Sequence, residues 1–401
     1  MSRPITAAKR PSLDALTGLR FLAAAQVVLF HSMGPRLEQL PPAVANLIGA
    51  GYTGVSLFFV LSGFVLAYNY LTPGLGGVRR TGDFLAARVA RIYPVYLLGV
   101  LVALPGLVLR LLRTETAGDA VVSGAPVVLS ALTLTQAWIP SFACQLNCPG
   151  WSLSVEAVFY LAFPALAVLL APRSRSRLLP IMAACWGLSI LMGWSYLRAD
   201  PDGLGAVTPL SAGFWLDVLK YNPLVRLPEF VIGICLGLVF LATPNLLGRR
   251  AAAVTLGSIG AILLVLMASD RIPYPILNNG LLLGPFGVLI VGLASASGLP
   301  ARLLATPPMR RLGEASYALY ILHVPIHSVL RRIVPATGPL APQSTGFLVV
   351  YLVGSVLISI GVLTLLEEPA RLAVRNAVTR WSAQWARRAP VAATEKLPKM
   401  S

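Results

Sequence analysis

Apolar residues in this chain come in continuous blocks of about 20 positions, not in the ten-residue alternating stretches of a β-barrel strand. In lipid every backbone polar group has to be satisfied internally, so spans are helices or closed barrels, and unbroken blocks favour helices. The pattern predicts an all-α membrane protein of about ten transmembrane helices. They fall near 16–35, 51–71, 90–112, 151–171, 178–197, 224–243, 251–269, 277–297, 313–333 and 345–366. Residues 114–150 are only moderately apolar. Counting them as a full span would turn the Arg173, Arg175, Arg177 cluster to the opposite side, so they read as an outer re-entrant or surface helix followed by a loop. The other long outer segment, 198–223, is rich in Pro, Gly and Asp.

Composition sharpens this picture. The chain is 56% hydrophobic and 12% charged, about half the charge of an ordinary globular domain, which excludes a water-soluble one. Its net charge of +17 invites a nucleic-acid role. With the N-terminus inside, however, 23 of the 32 lysines and arginines fall on inner segments. That bias follows the positive-inside rule and predicts both termini in the cytoplasm and a multi-pass protein of a bacterial inner membrane. The basicity is topological, and no nucleic-acid partner is expected. The first apolar block contains Arg20 and His31 and offers no small-residue cleavage site, so it reads as a span, not a signal peptide. The expected organisation is one membrane domain, 1–371, and a basic tail, 372–401, lying on the anionic leaflet before becoming disordered. Cys185 and Cys235 fall inside spans as small apolar residues, whereas Cys144 and Cys148 share an outer loop that permits a disulfide. No second Cys/His pair flanks that loop, so no metal site is expected.

Ionisable residues within spans are costly and mark candidate functional sites. Arg20 and His31 stand eleven residues apart, about three helical turns, on one face and about 16 Å apart along the axis. A cation at the inner mouth suits a phosphate, and a neutral imidazole toward the outer mouth suits a general base. The plainer alternative is a snorkelling arginine and a hydrogen-bonded interfacial histidine. Arg88 and Arg91 share a face at the start of the third span. They serve either as positive-inside anchors or, with Arg20, Arg79 and Arg80, as a site for a polyanion. In Trp151-Ser152-Leu153-Ser154-Val155-Glu156, Ser152 and Glu156 share a face one turn apart. An unpaired Glu156 would be expensive in the span. It is expected to orient His31 at similar depth, or else to pair with Arg226. Arg226 and Glu229, three apart, could also pair with each other. Ser316-Tyr317, Tyr320 and His323 draw a polar stripe to mid-membrane, though a lone histidine there is often a helix–helix hydrogen bond. Glu367, Glu368 and Arg371 read as a clamp on the basic loops.

Taken in order, these elements resemble the acyltransferase-3 family of integral membrane O-acyltransferases, over about residues 12–371. Leu13-Asp14-Ala15-Leu16-Thr17-Gly18-Leu19-Arg20 with His31, and Gly54 to Phe64, come first; Arg88-x-x-Arg91, Trp151 to Glu156, Arg226 to Phe230, Ser316 to His323 and Glu368-Pro369 follow. Each motif alone is weak, and the ordered set is specific. The resemblance implies ten helices around a pore that carry an acyl group from cytosolic acyl-CoA, by default acetyl-CoA, to a hydroxyl at or beyond the outer face. Acyl-CoA would be a substrate, with no cofactor bound. His31 would act as base or acyl relay with Glu156 holding its ring, and Arg20, Arg88 and Arg91 would hold CoA. Asp14, Ser152, Arg226, Glu229, Tyr317, Tyr320 and His323 would line the pore or the acceptor site. The implied acceptor is a carbohydrate or a glycosylated or polyketide molecule. Longer relatives carry an appended extracytoplasmic hydrolase-like domain that this sequence lacks, so transfer is expected to finish within the membrane domain. A competing reading is a transporter of an acylated or sugar compound. It would want the repeat symmetry and paired broken helices that the sequence does not offer.

Overall fold

A computed structural model of the protein describes residues 10–74, 78, 81–243, 246–295, 298–374 and 376–377. Arg3, Lys9, Arg79, Arg80 and all but the start of the 372–401 tail lie outside the described residues. Helices run in the order α1 (Asp14–Met33), α2 (Pro42–Gly49), α3 (Gly54–Tyr70), α4 (Thr81–Leu111), α5 (Ala117–Leu132), α6 (Trp151–Leu170), α7 (Arg175–Ala199) and α8 (Phe214–Tyr221). They continue with α9 (Pro223–Ala242), α10 (Ala251–Met267), the short turn α11 (Tyr274–Ile276), α12 (Leu283–Ala294), α13 (Gly298–Leu304), α14 (Pro307–Ile333) and α15 (Thr345–Val362).

Nine helical segments among the described residues are long and apolar enough to cross a membrane. The tenth expected span lies in α14, which at 27 residues reaches about 40 Å. It is less apolar because Ser316, Tyr317, Tyr320 and His323 are polar, and all four are buried. Its hydropathy is low because it stands inside the bundle. Outward faces tell the complementary story: Leu161 is 68% exposed, Leu264 72% and Leu357 63%, which suits lipid and not water. The protein is accordingly a multi-pass membrane protein.

Two departures from the sequence expectation matter. The third span starts at Thr81, not near 90, so Arg88 and Arg91 sit within α4 instead of at its mouth. The eighth is not continuous. Between α11 and α12 the backbone passes through a π-helical turn, Leu277–Leu281, with Asn279 at φ −120° and Gly280 at φ 125°. A side chain at Gly280 would be strained and would press on Ile190.

The core is built on the pairs α3–α9 and α1–α14. Gly63 and Gly233 let α3 and α9 approach backbone to backbone: a Cβ at Gly63 would lie 2.2 Å from Phe230 O, and one at Gly233 2.1 Å from Val60 O. Small residues at such crossings are how membrane helices gain dispersion contact where lipid removes the hydrophobic drive. Outside the bundle core, α5 spans only 16 residues and is followed by short 3₁₀ turns. There Cys144 and Cys148 are joined as a disulfide.

Candidate active site

α1 carries Arg20 and His31 on one helix, and each opens into a different cavity. The basic cavity, about 90 Å³, is walled by Arg20, Arg88, Arg91, Ser62, Glu156 and Tyr160, with apolar residues between. The histidine cavity, about 540 Å³, holds His31, Trp151, Lys220, Arg226 and Asn278, and the Cys144–Cys148 loop forms part of its wall. The first admits a thin chain and the second a bulky group. Val55 and Tyr320 line both, so the two cavities meet across this pair of side chains.

His31 is exposed toward its cavity. Its Nδ1 lies 2.9 Å from Val27 O and 3.2 Å from His323 Nε2. A carbonyl only accepts, so Nδ1 of His31 carries the proton. His323 is fully buried, and its own Nδ1 donates to Tyr320 O at 2.7 Å. Its Nε2 is thereby left as an acceptor facing His31. Tyr351 fixes the same turn by donating to His323 O at 3.2 Å. These contacts assign one tautomer to each ring. His31 keeps an unprotonated Nε2, the form a general base requires.

At the other end, Arg88 Nη2 donates to Tyr70 Oη at 3.0 Å, and its guanidinium lies over the Tyr70 and Phe84 rings at 5.5 and 5.9 Å. Arg20 stands within the electrostatic reach of Arg91, Glu156 and Glu367. A carboxylate enclosed by arginines leaves positive charge in excess, which suits a polyanion at the cavity mouth.

Several expected positions and partners differ in the structure. Glu156 does not hold His31. It accepts from Ser62 Oγ at 3.1 Å and from the Tyr160 hydroxyl one turn away, within the basic cavity. Its hydrogen-bond partners are two hydroxyls, and Arg226, the other expected partner, is taken by Glu229 at 3.0 Å. The ring of His31 is held by His323, which therefore backs the site and lines neither cavity. Asp14 pairs with Arg310 at 3.3 Å on the surface at the start of α1, outside both cavity walls. Glu229 is buried behind Arg226 and is not a wall residue either. Ser152, Tyr317 and Tyr320 line the basic cavity, as Arg20, Arg88 and Arg91 do. Glu367 and Glu368 clamp Arg371 and Arg311 at 3.7 and 2.7 Å.

Sequence reasoning missed Ser62, Tyr160, Asn278 and Asn279. Tyr160 stands four residues after Glu156, a spacing that puts the two on one helix face. Asn278-Asn279-Gly280 is a turn signal inside an apolar block, and it could have announced the break.

Comparison with known proteins follows the same lines. A family model described as an acyltransferase domain matches residues 13–364. Acyltransferase MdmB of Streptomyces mycarofaciens is 28% identical over 97% of this chain and 98% of that protein. The exopolysaccharide production protein ExoZ of Rhizobium meliloti is 30% identical, covering 80% of this chain and 89% of its own length. O-acetyltransferase OatA of Staphylococcus aureus is 26% identical over 78% of this chain, which spans about half of that relative. No solved structure matches.

Proposed function

The chain belongs to the acyltransferase-3 family of membrane O-acyltransferases, and from that premise we propose that it moves an acetyl group from acetyl-CoA to a hydroxyl of a carbohydrate or glycosylated acceptor. The observation that carries this reading is the tautomer of His31, with a free Nε2 beside a cavity that touches the basic one only across Val55 and Tyr320.

In this reading Arg20, Arg88 and Arg91 bind the CoA phosphates on the cytoplasmic side, and the narrow apolar channel takes the pantetheine arm. The acceptor hydroxyl in the wide cavity gives its proton to His31 Nε2 as its oxygen attacks the thioester carbonyl. The new C–O bond forms, the C–S bond breaks, and the imidazolium returns the proton to the departing CoA sulfur. Val27 O and His323 Nε2 hold the Nδ1 proton in place throughout. The wide, aromatic-lined cavity and the relative active in exopolysaccharide production support a sugar-bearing acceptor.

Membranes given labelled acetyl-CoA together with extracted surface glycans test this reading. The wild-type chain is expected to yield an ester-labelled product, and His31→Ala none, at equal expression and membrane insertion. Transport of label without an ester product, or an ester formed by His31→Ala, rules the mechanism out.

A further inference from the structure

The acid–base pair makes no use of a buried polar cluster that lies where α11 breaks into α12. Arg226 is 1% exposed and Asn278 7%. Arg226 Nη1 donates to Asn278 O at 3.0 Å and to Asn279 Oδ1 at 3.1 Å. Its Nη2 donates to Ser56 Oγ at 2.7 Å and meets Glu229 Oε1 at 3.0 Å. Asn279 is itself fixed, donating through Nδ2 to Pro275 O at 3.1 Å. The π-helical turn is what frees the Asn278 carbonyl from a regular helix ladder and lets it accept from an arginine.

Two donors are left over. Arg226 Nε and Asn278 Nδ2 are buried and have no protein partner. Both residues line the histidine cavity. Buried donors without acceptors are destabilising unless a ligand or water supplies an oxygen. Glu229 neutralises the guanidinium, so the wall carries no net charge there. That disfavours a phosphate or carboxylate, and it suits a neutral oxygen that becomes negative only during reaction.

The position also fits. Arg226 lies over the Phe59 ring at 5.6 Å, and Phe59 lines the basic cavity. Ser56, its Nη2 partner, follows Val55, one of the two residues shared by both cavities. The free donors therefore sit beside the partition that a thioester has to pass to reach His31.

We infer that Arg226 Nε and Asn278 Nδ2 bind the carbonyl oxygen of the acyl group and stabilise the negative charge it acquires in the tetrahedral intermediate. This inference rests on the acyl-CoA reading above. When the acceptor oxygen attacks, the carbonyl π electrons move onto this oxygen. When they return, the C–S bond breaks and CoA leaves with the proton from His31. The Arg226 contacts, the Glu229 pair and the Asn279 tie hold this cluster in place before charge develops.

The test uses the purified full-length chain in detergent and two probes. One is CoA. The other is acetyl-dethia-CoA, in which a methylene replaces the thioester sulfur, labelled with ¹³C at the carbonyl. Wild-type protein is expected to bind the analogue about fivefold more tightly than CoA, the increment of one hydrogen-bonded carbonyl, with a downfield shift of the carbonyl resonance. Asn278→Ala is expected to reduce both the discrimination and the shift to the part that Arg226 Nε supplies, while CoA affinity is unchanged. Arg226→Lys, which keeps the charge opposite Glu229 and removes Nε, should reduce both likewise if it folds; Asn278→Ala decides the matter if it does not. Equal binding of the two probes by the wild-type chain, or discrimination undiminished in Asn278→Ala, overturns the inference. Failure of the wild-type chain to bind CoA at all would instead bring down the donor reading, and the inference with it.

Discussion

The proposed base needs one ring nitrogen occupied, and at His31 Nδ1 the Val27 carbonyl and a second histidine stand where a carboxylate was expected. His323→Leu removes one of the two acceptors facing His31 Nδ1, leaving Val27 O, so ester formation should fall by about tenfold as the ring loses its second tether. His323→Gln, which can present an amide oxygen to the same proton, should recover most of it; equal losses in both variants would reduce His323 to a packing residue. Glu156 stands in the basic cavity, beside Ser62 and Tyr160. Removing its charge with Glu156→Gln makes the basic cavity more positive, so CoA should bind about threefold more tightly, a small Coulomb gain at high effective dielectric. Arg91→Ala should weaken it. Calorimetric titration of both variants with CoA separates this role from that of a base partner, for which CoA affinity would not move. The Arg226–Glu229 pair is of another kind. At 1% and 2% exposure, loss of either member leaves an uncompensated buried charge, a penalty of about 3–5 kcal/mol, so Glu229→Ala should fail to accumulate in membranes.

At the scale of elements, the close crossing of α3 and α9 sets the geometry of both cavity walls. Gly233→Ala would force its new methyl onto Val60 O. Overpacking of this kind costs about 1–3 kcal/mol, expected as a lower melting temperature in detergent. Farther out, Asp202 organises the long loop before α8. Its carboxylate accepts from Trp215 N at 3.1 Å, Leu216 N at 2.8 Å and Tyr196 Oη at 3.0 Å, capping the helix from a distance in sequence. Burial alone would push this carboxyl up, but the donors outweigh it and hold it below the ordinary value of 3.8. A depressed folded value contributes stability that is fully present above the ordinary value and is lost as the pH falls through the folded one. Asp202→Asn should therefore make the 200–213 loop more open to limited proteolysis at pH 7. If cleavage is unchanged at pH 7, the cap is not holding the loop.

For the whole molecule, the two cavities define sides, and the charge bias gives the orientation to expect. Both termini are expected in the cytoplasm with the basic cavity facing it. Reporter fusions at either end, read with an enzyme active only inside and one active only outside, test the orientation. An external terminus would reverse the donor side. Acetyl-CoA supplied to inside-out vesicles should support acylation, and the same compound added to right-side-out vesicles should not.

Much of this was legible in the chain. Block length and hydropathy dictated an all-helical membrane protein, because a bilayer imposes its thickness and its demand for internal hydrogen bonds on any sequence that crosses it. The order of motifs dictated the family, and eleven-residue spacing put Arg20 and His31 at opposite ends of one face, because helical geometry is local. What sequence could not decide was which helices stand together. Spacing alone puts Glu156 and His31 at similar depths, yet the packing sets one against Ser62 and Tyr160 in the cavity lined by arginines and the other against His323, which stands 292 residues away. The break at Asn279-Gly280 likewise gains its meaning only from Arg226, on another helix, which takes up the carbonyl the break releases. Periodicity and span length are properties of one segment; the partner of a buried charge is set by the competition among all the groups that folding brings within reach.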